Sequence, residues 1–571
     1  MFRNKTLAVR FAAVLLFTAV SIAQSATFSK FQKDLTGPNS VGDWALAIWQ
    51  PEIRELTLAV DYVSCRHLYY FLRAGSVWWS THLAPLLLLS PDRFRLDDHY
   101  VCGYLANDPE AHVTPFQEIH QVPGGHFVRF RQGISRVECY WGTGQRSLLR
   151  YKSDAEYEEH FRQVFGQAVR RRLRTESPVL AELSGGLDSS SIVCMADKLL
   201  LDGEVCVPRL DTLSYYDTTE PNGDDWLYFR KVEEARGRAG VHIDASRLHH
   251  TNDSFVRLDF SALPGSLGTS QKLETERSNI VRAGGYRVTL SGRGGDELMG
   301  AIPDPSPKLG DLLVRGRFRQ LAKQLLAWIL VKRRPAIQLL WQAGIELLPT
   351  FLRQYLVEAA NVEPWIQPEF ATRTCWRRQV LEVRERIATH LPTQRYYLAG
   401  LLRLRNQLAN CAPSSPAVEE VRYPFLDQDL VEFVLSLPAG QLLRPGERRS
   451  LMRRSLRGIV PQDILERRTK QLAARTPLAL IEKNWTELQR TFDASLSSRF
   501  GYINEPVFLR TLQEASVGKR VHIIRMMKAI SLEFWLRGLT SRGLLVESPN
   551  LRPLEKLNPQ PACDPLSPTS R

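Results

Sequence analysis

Hydrophobic and polar positions follow two rhythms along the chain. Near its middle, residues 178–183 form a short apolar run that predicts a buried strand. A turn rich in serine and glycine follows, and residues 191–200 then carry apolar side chains at helical spacing. The rhythm repeats with a strand at 212–216 and a helix at 226–236, and 287–290 is a further short strand ending in glycines. Strands separated by helices predict a parallel sheet of α/β type. Just before it, 151–175 is a charged helix with Tyr157, Phe161, Phe165 and Val169 on one face. From about 40 to 145 the pattern is β-rich instead, with strands at 44–49, 56–61, 68–71, 76–80 and 125–130. Beyond the sheet, 312–334 and 336–357 are basic amphipathic segments divided by Pro335. Helical patterns continue through 376–390, 396–409 and 427–437.

The turn after the first central strand is Ser184-Gly185-Gly186-Leu187-Asp188-Ser189-Ser190. Strand, glycine turn and helix form a phosphate-binding geometry. Glycines let the backbone approach the ligand, and free N–H groups at the helix start face its negative charge. The serines add hydroxyl donors. Asp188 repels phosphate and is suited to hold Mg²⁺ instead. The alternative is a left-handed turn with no ligand. No Gly-Lys-Ser/Thr closes the loop, so it is not a P-loop. A second glycine turn, Ser291-Gly292-Arg293-Gly294-Gly295-Asp296, again puts an acid after a strand, where Asp296 can share the metal.

SGGLDSS resembles the pyrophosphate loop of enzymes that split ATP into AMP and pyrophosphate. Paired with SGRGGDE, and followed by Glu420-Val421-Arg422-Tyr423-Pro424-Phe425-Leu426-Asp427 and Arg467-Arg468-Thr469-Lys470, it resembles the synthetase domain of the asparagine synthase superfamily. The resemblance implies an α/β ATP-pyrophosphatase domain with helical insertions, using ATP and Mg²⁺. It assigns ATP and pyrophosphate to residues 184–190 with Ser291 and Gly292, adenine to the backbone at Ser214 and Tyr215, and metal to Asp188 and Asp296. Lys470 matches the family lysine beside the phosphates and the reacting carbonyl; the plain alternative is a surface lysine next to Arg467 and Arg468. Glu420 and Arg422 are expected to brace the fold.

The stretch LAVDYVSCRHLYYF, with VPGGHFVRF and CYW, resembles the glutaminase half of asparagine synthases, an α+β sandwich of the N-terminal-nucleophile hydrolase type. That chemistry uses a cysteine exposed after Met removal. Here residue 2 is Phe2 and Cys65 is the first cysteine, so the expectation is a degenerate domain without glutaminase activity. The expected organisation is this domain over 1–150, the synthetase domain over 151–547 and a disordered Pro/Ser-rich tail over 548–571.

Net charge is +14, from 75 basic and 61 acidic residues. Such a balance suits nucleic acid or an anionic surface, but ATP and pyrophosphate give it another use, and nucleic acid is not an expected partner. Eight scattered cysteines without a CxxC pair argue against zinc or a disulfide scaffold, and for a reducing cytosol. A tRNA-modifying enzyme with this type of loop would often carry such pairs. Arg3, Lys5 and Arg10 ahead of the apolar run 11–23 outline a secretory signal. The alternatives are an element of the first domain or a misassigned start. Because the central loop needs ATP, the cytoplasm is the expected location. The basic segments around Pro335 admit three readings: core-facing helices with solvated charge, a peptide or partner groove, or a membrane-surface contact.

Arg293 bears most on the substrate. The family places glutamate there in asparagine synthases and tyrosine in β-lactam synthetases, near the attacking nitrogen; arginine cannot act as a base at neutral pH. EPWIQPEF and LSSRFGYINEPVFLRTLQEA resemble lasso-peptide cyclases, which adenylate an Asp or Glu side chain of a precursor peptide and close it onto the peptide's own amine. The expectation is therefore an ATP-dependent carbon–nitrogen ligase acting on a precursor peptide, with a protease or leader-binding protein as partner. Asparagine synthesis from aspartate is the alternative, and a non-catalytic scaffold conflicts with intact Asp188, Asp296 and Lys470.

Overall fold

Two antiparallel sheets come first. β1 (Ala45–Gln50), β2 (Glu55–Val60), β3 (Tyr69–Arg73), β4 (Ser76–Ser80), β5 (His120–Gln121), β6 (His126–Arg131) and β7 (Ile134–Cys139) pair in the orders β1-β2-β6-β7 and β4-β3-β5. Alternate residues Leu56, Leu58 and Val60 meet Tyr70 and Val77 of the second sheet together with Val128 and Phe130, which seals the two sheets face to face. Helices α1 (Leu83–Leu88) and α2 (Asp98–Ala106) complete this region. The computed structural model describes residues 42–546, except 107–111, 143, 145, 219–224, 247–259, 266–270, 358–360, 383–386, 388, 411–418, 469–477, 479–480, 517–518 and 520. The expectations for 1–26, Lys470 and the tail lie outside these residues.

The central sheet contains β8 (Val179–Glu182), β9 (Leu210–Tyr216), β10 (Val241–Asp244), β11 (Val288–Leu290) and β12 (Glu420–Arg422), all parallel, in the order β10-β9-β8-β11-β12. α3 (Asp154–Arg172) covers it with Tyr157, Phe161, Phe165 and Val169 buried, as their spacing predicts. Ser153 and Glu156 form a capping box at its start, and Arg170, Arg171 and Arg172 end it, matching the helix dipole. α4 (Leu187–Leu201) and α5 (Asp225–Arg236) follow β8 and β9.

The segment expected as one helix over 312–334 is two, α6 (Ser306–Val314) and α7 (Phe318–Lys332), because Gly316 at φ 63° turns the chain between them. α8 (Ala336–Ile345) is shorter than its apolar pattern. Leu309, Leu321, Trp328, Leu339 and Ala343 close a small core of their own with Leu443. Leu443 belongs to a two-stranded hairpin, β13 (Leu443–Arg444) and β14 (Glu447–Arg448). α9 (Pro392–Asn410), α10 (Gln428–Leu435), α11 (Ser450–Ser455) and α12 (Ile523–Ser541) complete the elements used below.

Polar ties join the two halves. Arg172 donates to Asp427 at 2.5 Å and to Asp43 at 3.0 Å, and the Tyr62 hydroxyl donates to Leu426 O at 3.0 Å. Glu420 and Arg422 form the expected brace at 2.8 Å; Glu420 also pairs with Arg66, and Arg422 donates to Arg172 O and Arg174 O.

Candidate active site

Strand order locates the site. From β8 the chain moves outward through β9 and β10, then returns to place β11 on the opposite side of β8. β8 and β11 therefore flank the switch point of the sheet, where ligands bind at the carboxyl ends of parallel strands. The two glycine turns leave those two strand ends.

Backbone geometry explains the glycines. α4 starts at Leu187, not at the expected 191, with Gly186 as N-cap, so Asp188 lies in its first turn. Gly185 has φ 65°, and a Cβ there would lie 2.6 Å from Phe229 N and 2.7 Å from Tyr228 Cβ. The second turn reaches the first: a Cβ on Gly295 would sit 2.5 Å from Asp188 Cγ, and one on Gly292 would sit 3.2 Å from Ser189 N. Any side chain at 295 would push the loops apart.

The loop serines divide in two. Ser189 Oγ accepts from Ser184 N at 3.1 Å and lies 3.1 Å from Ser184 Oγ, so this pair shapes the turn. The hydroxyls of Ser190 and Ser214 are fully buried and have no hydrogen-bond partner among the described residues. Buried hydroxyls are ordinarily paired, so these two groups, one in the first turn of α4 and one within β9, are candidates to meet a ligand. Leu187 is buried, so only its backbone can face a ligand. Ser291 is buried behind the second turn, and burial raises the pKa of the Tyr215 phenol.

Asp188 and Asp296 do converge, and they converge on a cation. Arg449, immediately after β14, extends Nη2 to Asp188 Oδ2 at 2.6 Å and also to Asp296 Oδ1. Arg449 is only 8% exposed and has φ 53°, in the left-handed region; its N–H donates to Gly300 O at 3.2 Å. Sequence reasoning missed this residue. Its only signal is the run Gly446-Glu447-Arg448-Arg449 at a turn. Further cations crowd nearby: desolvation and Arg449 lower the pKa of Arg448, and desolvation and Arg448 lower that of Arg453. Arg467, seen in the sequence only as a neighbour of Lys470, donates to Gly185 O at 3.1 Å and to Asp225 at 2.7 Å, with its guanidinium 4.0 Å from the Tyr228 ring centre. Arginines surrounding two acids form a lining suited to polyphosphate.

The donor set fits Mg²⁺ with nucleotide. Two carboxylates suffice when phosphates and water supply the remaining oxygens. Among the described residues no cluster of three or more His, Cys, Asp or Glu offers a metal site without such phosphates. Arg293 is exposed beside the second turn. Burial and Asp296 raise the pKa of Glu297. In the first region, burial together with Asp43 and Asp61 holds the Cys65 thiol well above its usual range, which suppresses the nucleophilic thiolate.

The asparagine synthase family model matches residues 160–537, and a glutamine amidotransferase domain model matches 32–141. The chain is 24% identical over 442 residues to asparagine synthetase [glutamine-hydrolyzing] 3 of Bacillus subtilis, covering 75% of this chain and 66% of that protein. It is 27% identical over 272 residues to amidase chyE of Penicillium rubens, covering 45% and 39%. With amidase chry2 of Gibberella zeae the figures are 27% over 168 residues, covering 28% and 24%. The chain thus spans less than two thirds of the length of each of these relatives. The family model covers more than half of the chain, and its two glycine turns meet at the switch point of a parallel sheet: the chain belongs to the asparagine synthase family.

Proposed function

We propose that the protein is an ATP-dependent amide-forming ligase that activates a carboxylate as its acyl-adenylate and transfers the acyl group to an amine. The observation that carries this reading is the meeting of the two turns, with Asp188 and Asp296 on one guanidinium. The N–H groups of the first turn of α4 and the Ser190 and Ser214 hydroxyls would bind phosphate and nucleotide oxygens, and Arg449 and Arg467 would balance their charge. Mg²⁺ held by Asp188 and Asp296 would neutralise phosphate charge when bound. A substrate carboxylate oxygen attacks the α-phosphorus and pyrophosphate leaves. An amine then attacks the acyl carbon, loses a proton, and AMP leaves with the linking oxygen.

The acyl acceptor we favour is a peptide's own amine, giving a macrolactam. Arg293 at the position of the family glutamate supports this, as do the segments resembling lasso-peptide cyclases. A tethered amine also needs less help, since intramolecular placement raises its effective concentration to about 10⁵–10⁸ M in favourable cases. The Bacillus subtilis relative favours asparagine synthesis instead. One assay separates them: ATP is supplied with aspartate plus ammonium or glutamine, or with a candidate precursor peptide, and nucleotide and product masses are followed. AMP formation with loss of one water from the peptide supports the cyclase. Asparagine formation at a comparable rate favours the second reading, and release of ADP refutes both.

A further inference from the structure

α7 and α8 bury one face and leave another bare. Leu321, Trp328 and Leu339 point into their small core. Phe318, Leu326 and Leu330, spaced by four and eight residues along α7, are 66%, 61% and 72% exposed. On α8, Ile337 and Trp341 repeat the spacing at 75% and 58%. An exposed helix ordinarily turns such a stripe inward. Exposures this high describe side chains projecting from a convex surface; residues lining a groove would be shielded by its walls.

The charge around the stripe has one sign. Between residues 312 and 357 the sequence holds eight basic residues and one acid, Glu346, about half of the net +14 in under a tenth of the chain. Arg317, Arg319, Lys323, Arg333 and Arg334 are exposed and have no acidic partner among the described residues. Apolar Trp, Phe and Leu projecting beside unpaired Lys and Arg match the interface of an anionic bilayer, which accepts the apolar side chains and attracts the cations together. A second copy of this chain would bring like charges together. The basic and apolar stretch at residues 3–23 has the same chemistry. No described helix is long and apolar enough to cross a membrane, so the contact is with the surface.

We propose that the exposed face of α7 and α8 is a docking surface for an anionic phospholipid bilayer, with Phe318, Leu326, Leu330, Ile337 and Trp341 entering the interface and the cations around them reading the headgroups. The inference does not depend on the reaction proposed above.

The test is co-sedimentation of the full-length protein with phosphatidylcholine vesicles and with vesicles containing about one quarter phosphatidylglycerol. Binding should need the anionic lipid and fall at high salt. L330Q/W341Q and R333Q/R334Q, each checked by circular dichroism, should each lower the partition coefficient by about tenfold or more. Exposed sites are chosen so that folding is unaffected, and if one pair fails to fold the other decides. Equal binding to both vesicle types, no binding, or unchanged binding by a folded variant overturns the proposal. So does an acidic peptide that binds this face with the same dependence on both pairs while vesicles do not.

Discussion

Replacing Arg449 by methionine keeps an unbranched stem and removes the guanidinium that joins Asp188 to Asp296. The two halves of the bridge differ in weight. The Asp296 side chain is 74% exposed, so water screens that half to about 0–1 kcal/mol. The Asp188 side chain is 16% exposed and Arg449 only 8%, and breaking a buried pair costs about 3–5 kcal/mol; residual water access places this one near the lower limit. Unfolding of R449M in denaturant should therefore show a loss of about 3 kcal/mol. Function should respond with two opposite signs. With that cation gone, two neighbouring carboxylates lose the guanidinium they share, so Mg²⁺ should bind the nucleotide-free protein more tightly by calorimetry. Turnover should fall by about 10²–10³, the usual effect of removing one donor aimed at developing charge. R449K, which keeps the charge without the planar fork, should recover most of the stability and part of the rate. If R449M loses stability while Mg²⁺ affinity and turnover per folded molecule stay unchanged, Arg449 is a structural tie and the assignment of this site fails.

Two further outcomes follow from buried groups. Ser214 has a fully buried hydroxyl without a partner among the described residues, so S214A should leave the ligand-free protein as stable or about 1 kcal/mol more stable, while ATP affinity drops about tenfold; a destabilised variant with normal ATP affinity would contradict this. Burial, with Arg444 nearby, lowers the Lys308 ammonium to about 8, below the ordinary lysine value, so the native state is penalised for carrying this charge below pH 8 and relieved as pH rises from about 8 to about 10. K308M should be more stable than the parent at pH 7, by up to about 3 kcal/mol, and the difference should shrink across that window; a difference that is flat with pH would show that packing, not charge, sets it.

Three of the five central strands were legible because their evidence is local. β8 and β11 each run into a glycine turn and β9 is followed by a helix, so periodicity and turn chemistry point the same way there, whereas β10 and β12, at four and three residues, are too short to set a period and were not read as strands. Local evidence also pointed to Asp188 and Asp296 lying close together, since each follows a strand end by a few residues, and they do meet on Arg449. The omissions have physical causes. β7 was missed because four of its first five residues are exposed polar or lone apolar positions, so it has no buried face to set a period. The 312–334 pattern hid a break because Gly316 interrupts the chain without interrupting the apolar spacing. Arg449 was invisible for another reason: its role depends on a hairpin that returns the chain to a loop more than 250 residues earlier, and no spacing in the sequence encodes that return.

Arginine runs show how far composition carries an argument. Four such runs look alike in the sequence and meet three kinds of partner. Arg171 and Arg172 end α3 and meet the fully buried Asp427, so their charge is spent inside the fold. Arg449 and Arg467 hold Asp188, Asp296 and the Gly185 carbonyl, groups that the proposed function assigns to the ligand, so in that proposal their charge becomes available when the ligand displaces those contacts. Arg333 and Arg334 face solvent with no acid in reach among the described residues, and only an external anion can neutralise them. The net charge of +14 is thus a sum over three kinds of site. What separates them is the burial and identity of the nearest acid, which becomes visible only when the chain is folded. That separation is why the nucleotide site proposed at the sheet and the membrane surface proposed on the helical insertion can draw on the same excess of arginine without either implying the other.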